Sequence, residues 1–301
     1  MRSTIPLVLL AACASIEAAP AATFRVDRTV RAKAARLEVH YVELGSAEAS
    51  AKTPVVYLHP WGADLDIWID VATPIAVDRR SLLVDLPAHG GSSQPPGRYP
   101  PRRLAQAVLG ALDDAGIEKA IFVGNSIGGG TALAVAEVDP ARVAGLVLVG
   151  APGAIAIPRP LRELAARVAN PRALATLSPG VLEILWGVAT GGDDTPALRR
   201  LVARAVASRE AKGWEARATA QASELREVIF FEPALEKIHV PTLVMHGEDD
   251  RIVWPNAGRA LAERIPGAKL VMIEDCGHFP EAECPDQFIP PFRAFLDTID
   301  R

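Results

Sequence analysis

From Leu37 to the C-terminus, short apolar runs rich in β-branched residues alternate with longer stretches whose apolar positions recur every three or four residues. Leu37 to Leu44 alternates apolar and polar side chains, the period of a strand with one face covered, and reads as an early antiparallel strand. Val55 to Leu58, Leu82 to Leu86, Ile121 to Val123, Leu146 to Val149, Thr242 to Met245 and Leu270 to Ile273 are close to continuously apolar, as strands buried on both faces of a parallel sheet must be. Leu104, Val108, Ala111, Leu112 and Ala115 share one face of a helix, and Phe288, Phe292, Phe295, Leu296 and Ile299 share another near the end of the chain. Strands alternating with amphipathic helices predict an α/β fold, a mostly parallel sheet flanked by helices.

Between Gly153 and about Pro233 the rhythm changes. Strand-like runs vanish, Ala, Leu, Arg and Glu dominate, and Leu198, Leu201, Val202 and Ala205 fall at helical spacing. This stretch reads as an inserted helical cap, its arginines forming solvated helix faces. The expected organisation is a leader over 1–12, a tether over 13–24, core over 25–152, cap over 153–234 and core again over 235–301.

Composition narrows the partners. Half of the 301 residues are apolar and 23% are charged, a globular profile. The net charge of -4 and a pI near 5.9 leave no basic surface for phosphates, so nucleic acid is not an expected partner. The N-terminus carries Arg2 and then a short apolar run, Pro6 to Ala12, too short to span a bilayer and suited to an export signal. Leu10-Ala11-Ala12-Cys13 resembles the bacterial lipoprotein signal, in which cleavage precedes the cysteine and the thiol carries lipid. That resemblance implies an exported protein of the cell envelope, in contact with a membrane through a lipid anchor on Cys13. The other reading is an ordinary secretory signal cut near Ala18-Ala19-Pro20-Ala21, which gives a soluble periplasmic or secreted protein. Cys276 and Cys284, eight apart around His278, allow a disulfide, but that spacing does not fix the Cα separation and favours two unconnected thiols. Two cysteines without flanking histidine pairs do not make a zinc site, and no metal is expected.

The chemistry concentrates in Gly124-Asn125-Ser126-Ile127-Gly128, where a buried strand meets a helix beginning near Gly129. So tight a turn strains the serine backbone and exposes its hydroxyl, and the small residues two before and two after admit neighbouring chain. A serine hydroxyl needs a base, and the base needs an orienting acid. Of the six histidines, His278 alone leaves a strand in an open loop, Asp275-Cys276-Gly277-His278-Phe279-Pro280. His40 lies in the early strand, His239 precedes one, and His59, His89 and His246 occupy tight turns where packing or hydrogen-bonding roles account for them. Glu248, Asp249 and Asp250 compete as the acid; adjacent carboxylates in a turn make a poor calcium loop.

With Ser126, an acid after Gly247 and His278 in that order, the chain resembles the α/β-hydrolase superfamily, particularly its esterase-like members. The resemblance covers Leu37 to about Pro152 and Leu235 onward, and its G-x-x-D turn selects Asp250. It implies an oxyanion hole from the backbone N–H groups of Ile127 and of Trp61, in His59-Pro60-Trp61-Gly62, where Pro60 replaces the usual glycine. The Trp61 indole either walls the acyl pocket or packs. Asp85-Leu86-Pro87-Ala88-His89-Gly90-Gly91-Ser92 is similar to a structural turn of the family, with Ala88 in place of glycine. The implied activity is hydrolysis of a small-molecule carboxylic ester or lactone through an acyl-enzyme, with no cofactor. Cleavage of a C–C bond in a diketone and acyl transfer are alternatives on the same fold; a non-catalytic binding protein is a third reading.

Overall fold

The structure, a computed structural model, describes residues 24–45, 51–154 and 195–301. The leader, Cys13, the tether before Phe24 and residues 155–194 of the expected cap lie outside the described residues.

Eight strands form one sheet: β1 (Phe24–Ala32), β2 (Leu37–Gly45), β3 (Val55–Leu58), β4 (Ser81–Val84), β5 (Ala120–Asn125), β6 (Val143–Val149), β7 (Thr242–Gly247) and β8 (Lys269–Ile273). Their spatial order is β1-β2-β4-β3-β5-β6-β7-β8. β3 to β8 are parallel, and the β1–β2 hairpin adds to β4 antiparallel. β3 and β4 are buried at every position, as their apolar runs require.

Both edges differ from expectation. β1 was not legible as a strand because Arg25, Asp27, Arg28 and Arg31 interrupt its apolar residues; charges of this kind keep an exposed edge from pairing with another chain. β8 is apolar but only partly buried: Lys269 and Leu270 are exposed, since among the described strands β8 pairs with β7 alone.

The helices cover both faces. α1 (Ile69–Ile75) and α8 (Pro285–Ile299) pack on one face, where Trp68, Phe288 and Phe292 surround Tyr57 with ring centroids 5.4–6.3 Å apart. On the other face lie α2 (Pro101–Asp114), α3 (Ile127–Val138) and α6 (Pro255–Arg264), which bury Leu104, Val108, Leu133 and Leu261 with Phe122 and Leu146. α7 (Pro280–Glu283) is a single turn before α8.

Within 195–234 the chain forms α4 (Pro196–Glu210) and α5 (Trp214–Ile229). Their arginines are not simply solvated. Arg200 pairs with Asp70, Arg204 bonds Asp64 (2.6 Å) and Asp66 (2.7 Å), and Arg217 donates to the Gly90 carbonyl (3.0 Å). At the other end of α4, Thr195 accepts from Leu198 N–H and donates to the Ala282 carbonyl (2.8 Å), which docks the helix on α7.

Candidate active site

Ser126 stands between β5 and α3 at φ 53, ψ -116, a conformation costly for any residue with a Cβ. It persists because surrounding chain over-determines it. Ser126 N–H donates to the Val149 carbonyl (2.9 Å), and its own carbonyl accepts from Gly130 N–H (3.1 Å). The flanking glycines are required by contact: a Cβ on Gly124 would sit 2.3 Å from the Gly128 carbonyl carbon, and one on Gly128 would sit 2.1 Å from the Leu58 carbonyl oxygen. The same closeness sets the start of α3 against the end of β3. α3 begins at Ile127 rather than near Gly129, so the Ile127 N–H belongs to the first turn, where no intrahelical acceptor exists.

His278 leaves the loop after β8 and is buried, with Nδ1 2.7 Å from Asp250 Oδ2. The carboxylate accepts, so Nδ1 donates and Nε2 is left as the ring's base. Oδ1 of Asp250 accepts from the Ile252 and Val253 N–H groups at 2.8 and 2.9 Å. Burial pushes the Asp250 carboxyl up, but hydrogen bonds from His246 and His278, with their charge, outweigh it and hold the group well below the usual carboxylate range. Of the three competing carboxylates, Asp250 carries the bond to His278; Glu248 and Asp249 are exposed. Asn125 Nδ2 donates to the His278 carbonyl (2.8 Å), and Gly150, which follows β6, stands against the His278–Asp250 pair. Asn125, beside Ser126, thus ties the serine turn to the loop of His278, and Asp250 pairs with that histidine.

The histidine loop is clamped in ways that spacing did not reveal. Cys276 and Cys284 form a disulfide with Cα atoms 6.2 Å apart, which corrects the reading of two separate thiols; the α7 turn folds the loop back far enough to close it. The Glu283 carboxylate accepts from the N–H groups of Gly277 (2.8 Å) and Phe279 (2.7 Å), one on each side of His278. Beneath it, burial pushes the Glu281 carboxyl well above its ordinary range, and its Oε2 lies 3.4 Å from Asn125 Nδ2.

The loop bearing Trp61 is held by two buried histidines whose rings lie 4.9 Å apart. His59 donates from Nδ1 to the Pro60 carbonyl (2.8 Å) and accepts Leu86 N–H at Nε2 (2.9 Å). His89 donates from Nδ1 to the Pro87 carbonyl (3.0 Å) and accepts Gly62 N–H at Nε2 (3.1 Å). Burial drives both downward, His89 to about 3, so both rings are neutral. The Trp61 indole N–H donates to the Gln221 carbonyl of α5 (3.0 Å), and Gln221 Nε2 donates to the Ala88 carbonyl (2.9 Å). Asp85 anchors the family-like turn by accepting from Leu65 N–H (2.9 Å), Gly91 N–H (2.8 Å) and His40 Nδ1 (2.6 Å). A cavity of about 370 Å³ lies where residues 62–64 and Gly90 meet α4 and α5.

Sequence reasoning missed Gln221, Glu281 and Glu283, and no local pattern marks them because each acts through contacts formed only in the fold. Among the described residues, no cluster of three or more His, Cys, Asp or Glu side chains is arranged to hold a metal ion.

A profile described as "Alpha/beta hydrolase family" matches residues 55–290. The chain is 30% identical over 263 residues to the dihydrolipoyllysine-residue acetyltransferase component of the acetoin cleaving system of Pseudomonas putida, covering 86% of this chain and 66%, just under two thirds, of that protein. It is 30% identical over 246 residues to a 2-hydroxymuconate semialdehyde hydrolase of Pseudomonas putida (74% of this chain, 78% of the relative). It is also 30% identical over 243 residues to a pimeloyl-[acyl-carrier protein] methyl ester esterase of Aromatoleum aromaticum (77% and 93%). Among solved structures it resembles a bacterial membrane phospholipase A at 27% identity and a TM-score of 0.74, covering 91% of this chain and 86% of that one.

Proposed function

The chain belongs to the alpha/beta hydrolase family, and from that premise we propose that it is a serine hydrolase of small-molecule carboxylic esters or lactones. The observation that carries the reading is the strained Ser126 elbow, tied through Asn125 to the loop of a His278 that is paired with Asp250. In this mechanism His278 Nε2 takes the Ser126 proton as Oγ attacks the acyl carbon, and the alkoxide of the tetrahedral intermediate accepts from the N–H groups of Trp61 and Ile127. His278 returns the proton to the leaving alcohol. Water, deprotonated by the same nitrogen, then releases the acid and regenerates Ser126.

An uncharged acyl group suits the surroundings. Arg200 and Arg204 of α4 are neutralised in place by Asp70, Asp64 and Asp66, and Arg217 of α5, which also lines the cavity, is turned onto the Gly90 carbonyl. The esterase relative, matched over 93% of its length, supports the same reaction class. The 2-hydroxymuconate semialdehyde hydrolase relative keeps C–C cleavage as the second reading.

The test is turnover of p-nitrophenyl esters of increasing acyl length by the full chain, beside Ser126→Ala. We expect hydrolysis by the wild type, a loss of about a thousandfold or more in the variant, and labelling of Ser126 by a fluorophosphonate. A wild type that labels but turns over no ester redirects the reading to C–C cleavage. One that does neither ends the serine-hydrolase reading.

A further inference from the structure

Asp250 takes more hydrogen bonds than the orientation of one imidazole needs. Two backbone N–H groups fill Oδ1, and His278 Nδ1 reaches Oδ2 at 2.7 Å. A second histidine, His246 in β7, places Nε2 3.1 Å from the same Oδ2 and 2.6 Å from the Val253 carbonyl. A carbonyl only accepts, so Nε2 carries the hydrogen and shares it between carbonyl and carboxylate in a three-centre bond. The ring is fully buried and cannot retreat: a Cβ on Gly258 of α6 would lie 2.5 Å from its Nδ1. Nδ1 itself has no hydrogen-bond partner among the described residues, an unfavourable arrangement that the fold tolerates for what Nε2 does.

We propose that His246 is a positioning residue for the triad carboxylate, its Nε2–H dividing Oδ2 of Asp250 with His278 so that the carboxylate is fixed in plane and pulls less strongly on the His278 Nδ1–H. The proposal rests on the serine-hydrolase reading of the site. Among the described residues the ionisable groups facing Asp250 are His246 from β7, His278 from the β8–α7 loop and Glu281 from α7, whose carboxyl burial pushes well above its ordinary range. With the His246 donor removed, Oδ2 serves His278 alone, becomes more basic and stabilises the imidazolium more.

The experiment compares pH profiles of kcat/KM on a short p-nitrophenyl ester for wild type, His246→Leu and His246→Gln. The leucine variant should move the acid limb to higher pH by about half a pH unit to one, with kcat lowered several-fold and KM unchanged. Glutamine, which keeps a donor, should return the limb most of the way. A wild type that hydrolyses esters and labels with fluorophosphonate, beside variants that keep the wild-type limb, overturns the proposal; a wild type that does neither overturns the underlying reading instead. If the leucine variant fails to fold, ¹⁵N NMR of the wild-type imidazoles decides: the Nε2–H tautomer at His246 supports the proposal, and the Nδ1–H tautomer defeats it.

Discussion

At the residue scale, Asp250 is the position where a change of one atom tests most. Replacing it with asparagine keeps the volume, and the amide oxygen can still accept from Ile252 and Val253 N–H, so the turn should survive. The NH₂ group would then face His278 Nδ1, and two donors cannot share a bond; the ring must present Nε2–H to Ser126 and lose its role as base. Asp250→Asn should therefore lower kcat by about 10³–10⁴ while the far-UV circular dichroism stays near wild type. A loss of only a few-fold would mean that another carboxylate orients His278.

At the element scale, the loop from Cys276 to Cys284 acts as one clamp, with a disulfide across its base and Glu283 bridging the N–H groups beside His278. Closing eight residues removes chain entropy from the unfolded state, worth about 2–3 kcal/mol. Reduction should cost about that much stability and lower kcat more than KM, because what loosens is the base and not the acyl pocket. Urea titrations and kinetics with and without reductant would show it, and unchanged kcat after complete reduction would assign the positioning to Glu283. This clamp also marks where sequence reading stops. Central strands such as β3 and β7 are legible because burial on both faces forces an apolar run, and Ser126 is legible because an elbow needs small residues close by in the chain. β1 was missed, and β8, though read as a strand, is less buried than its apolar run implied, because an edge reverses the pattern: charge where a strand forms, and apolar residues where it is exposed. Asp250 among three adjacent carboxylates was chosen by resemblance, since nothing in Glu248-Asp249-Asp250 itself says which side chain turns inward. His246 read only as a packing or hydrogen-bonding residue of a turn, with no link to the acid that lies four residues after it and that it touches.

At the scale of the whole molecule, buried ionisable groups on both sides of the sheet shape stability against pH. His59 and His89 are buried neutral, with folded values below the ordinary 6.5, so each favours unfolding as pH falls from 6.5, His89 down to about 3. Glu224 and Glu281 are buried protonated, with folded values above the ordinary 4.5, so each favours unfolding as pH rises from 4.5. Glu224 Oε2 lies 3.3 Å from His89 Nδ1, but whichever of the two holds the proton, the pair binds one. Between 4.5 and 6.5 the histidines and the acids act in opposite directions, so their contributions offset one another. Above 6.5 the unfolded histidines are neutral as well, and only the acids differ, joined by His40, whose bonds to Asp85 and Asp27 raise it to about 9 and whose contribution is lost as pH climbs toward that value. Stability should thus form a plateau at mildly acidic pH and fall on the alkaline side by about 1.4 kcal/mol per pH unit for each proton retained. Glu224→Gln removes one of those protons without removing bulk. Its stability, read from urea midpoints between pH 5 and 9, should lie near wild type at the acidic end and rise progressively above it as pH increases, whereas parallel curves would show that Glu224 does not hold its proton in the folded chain.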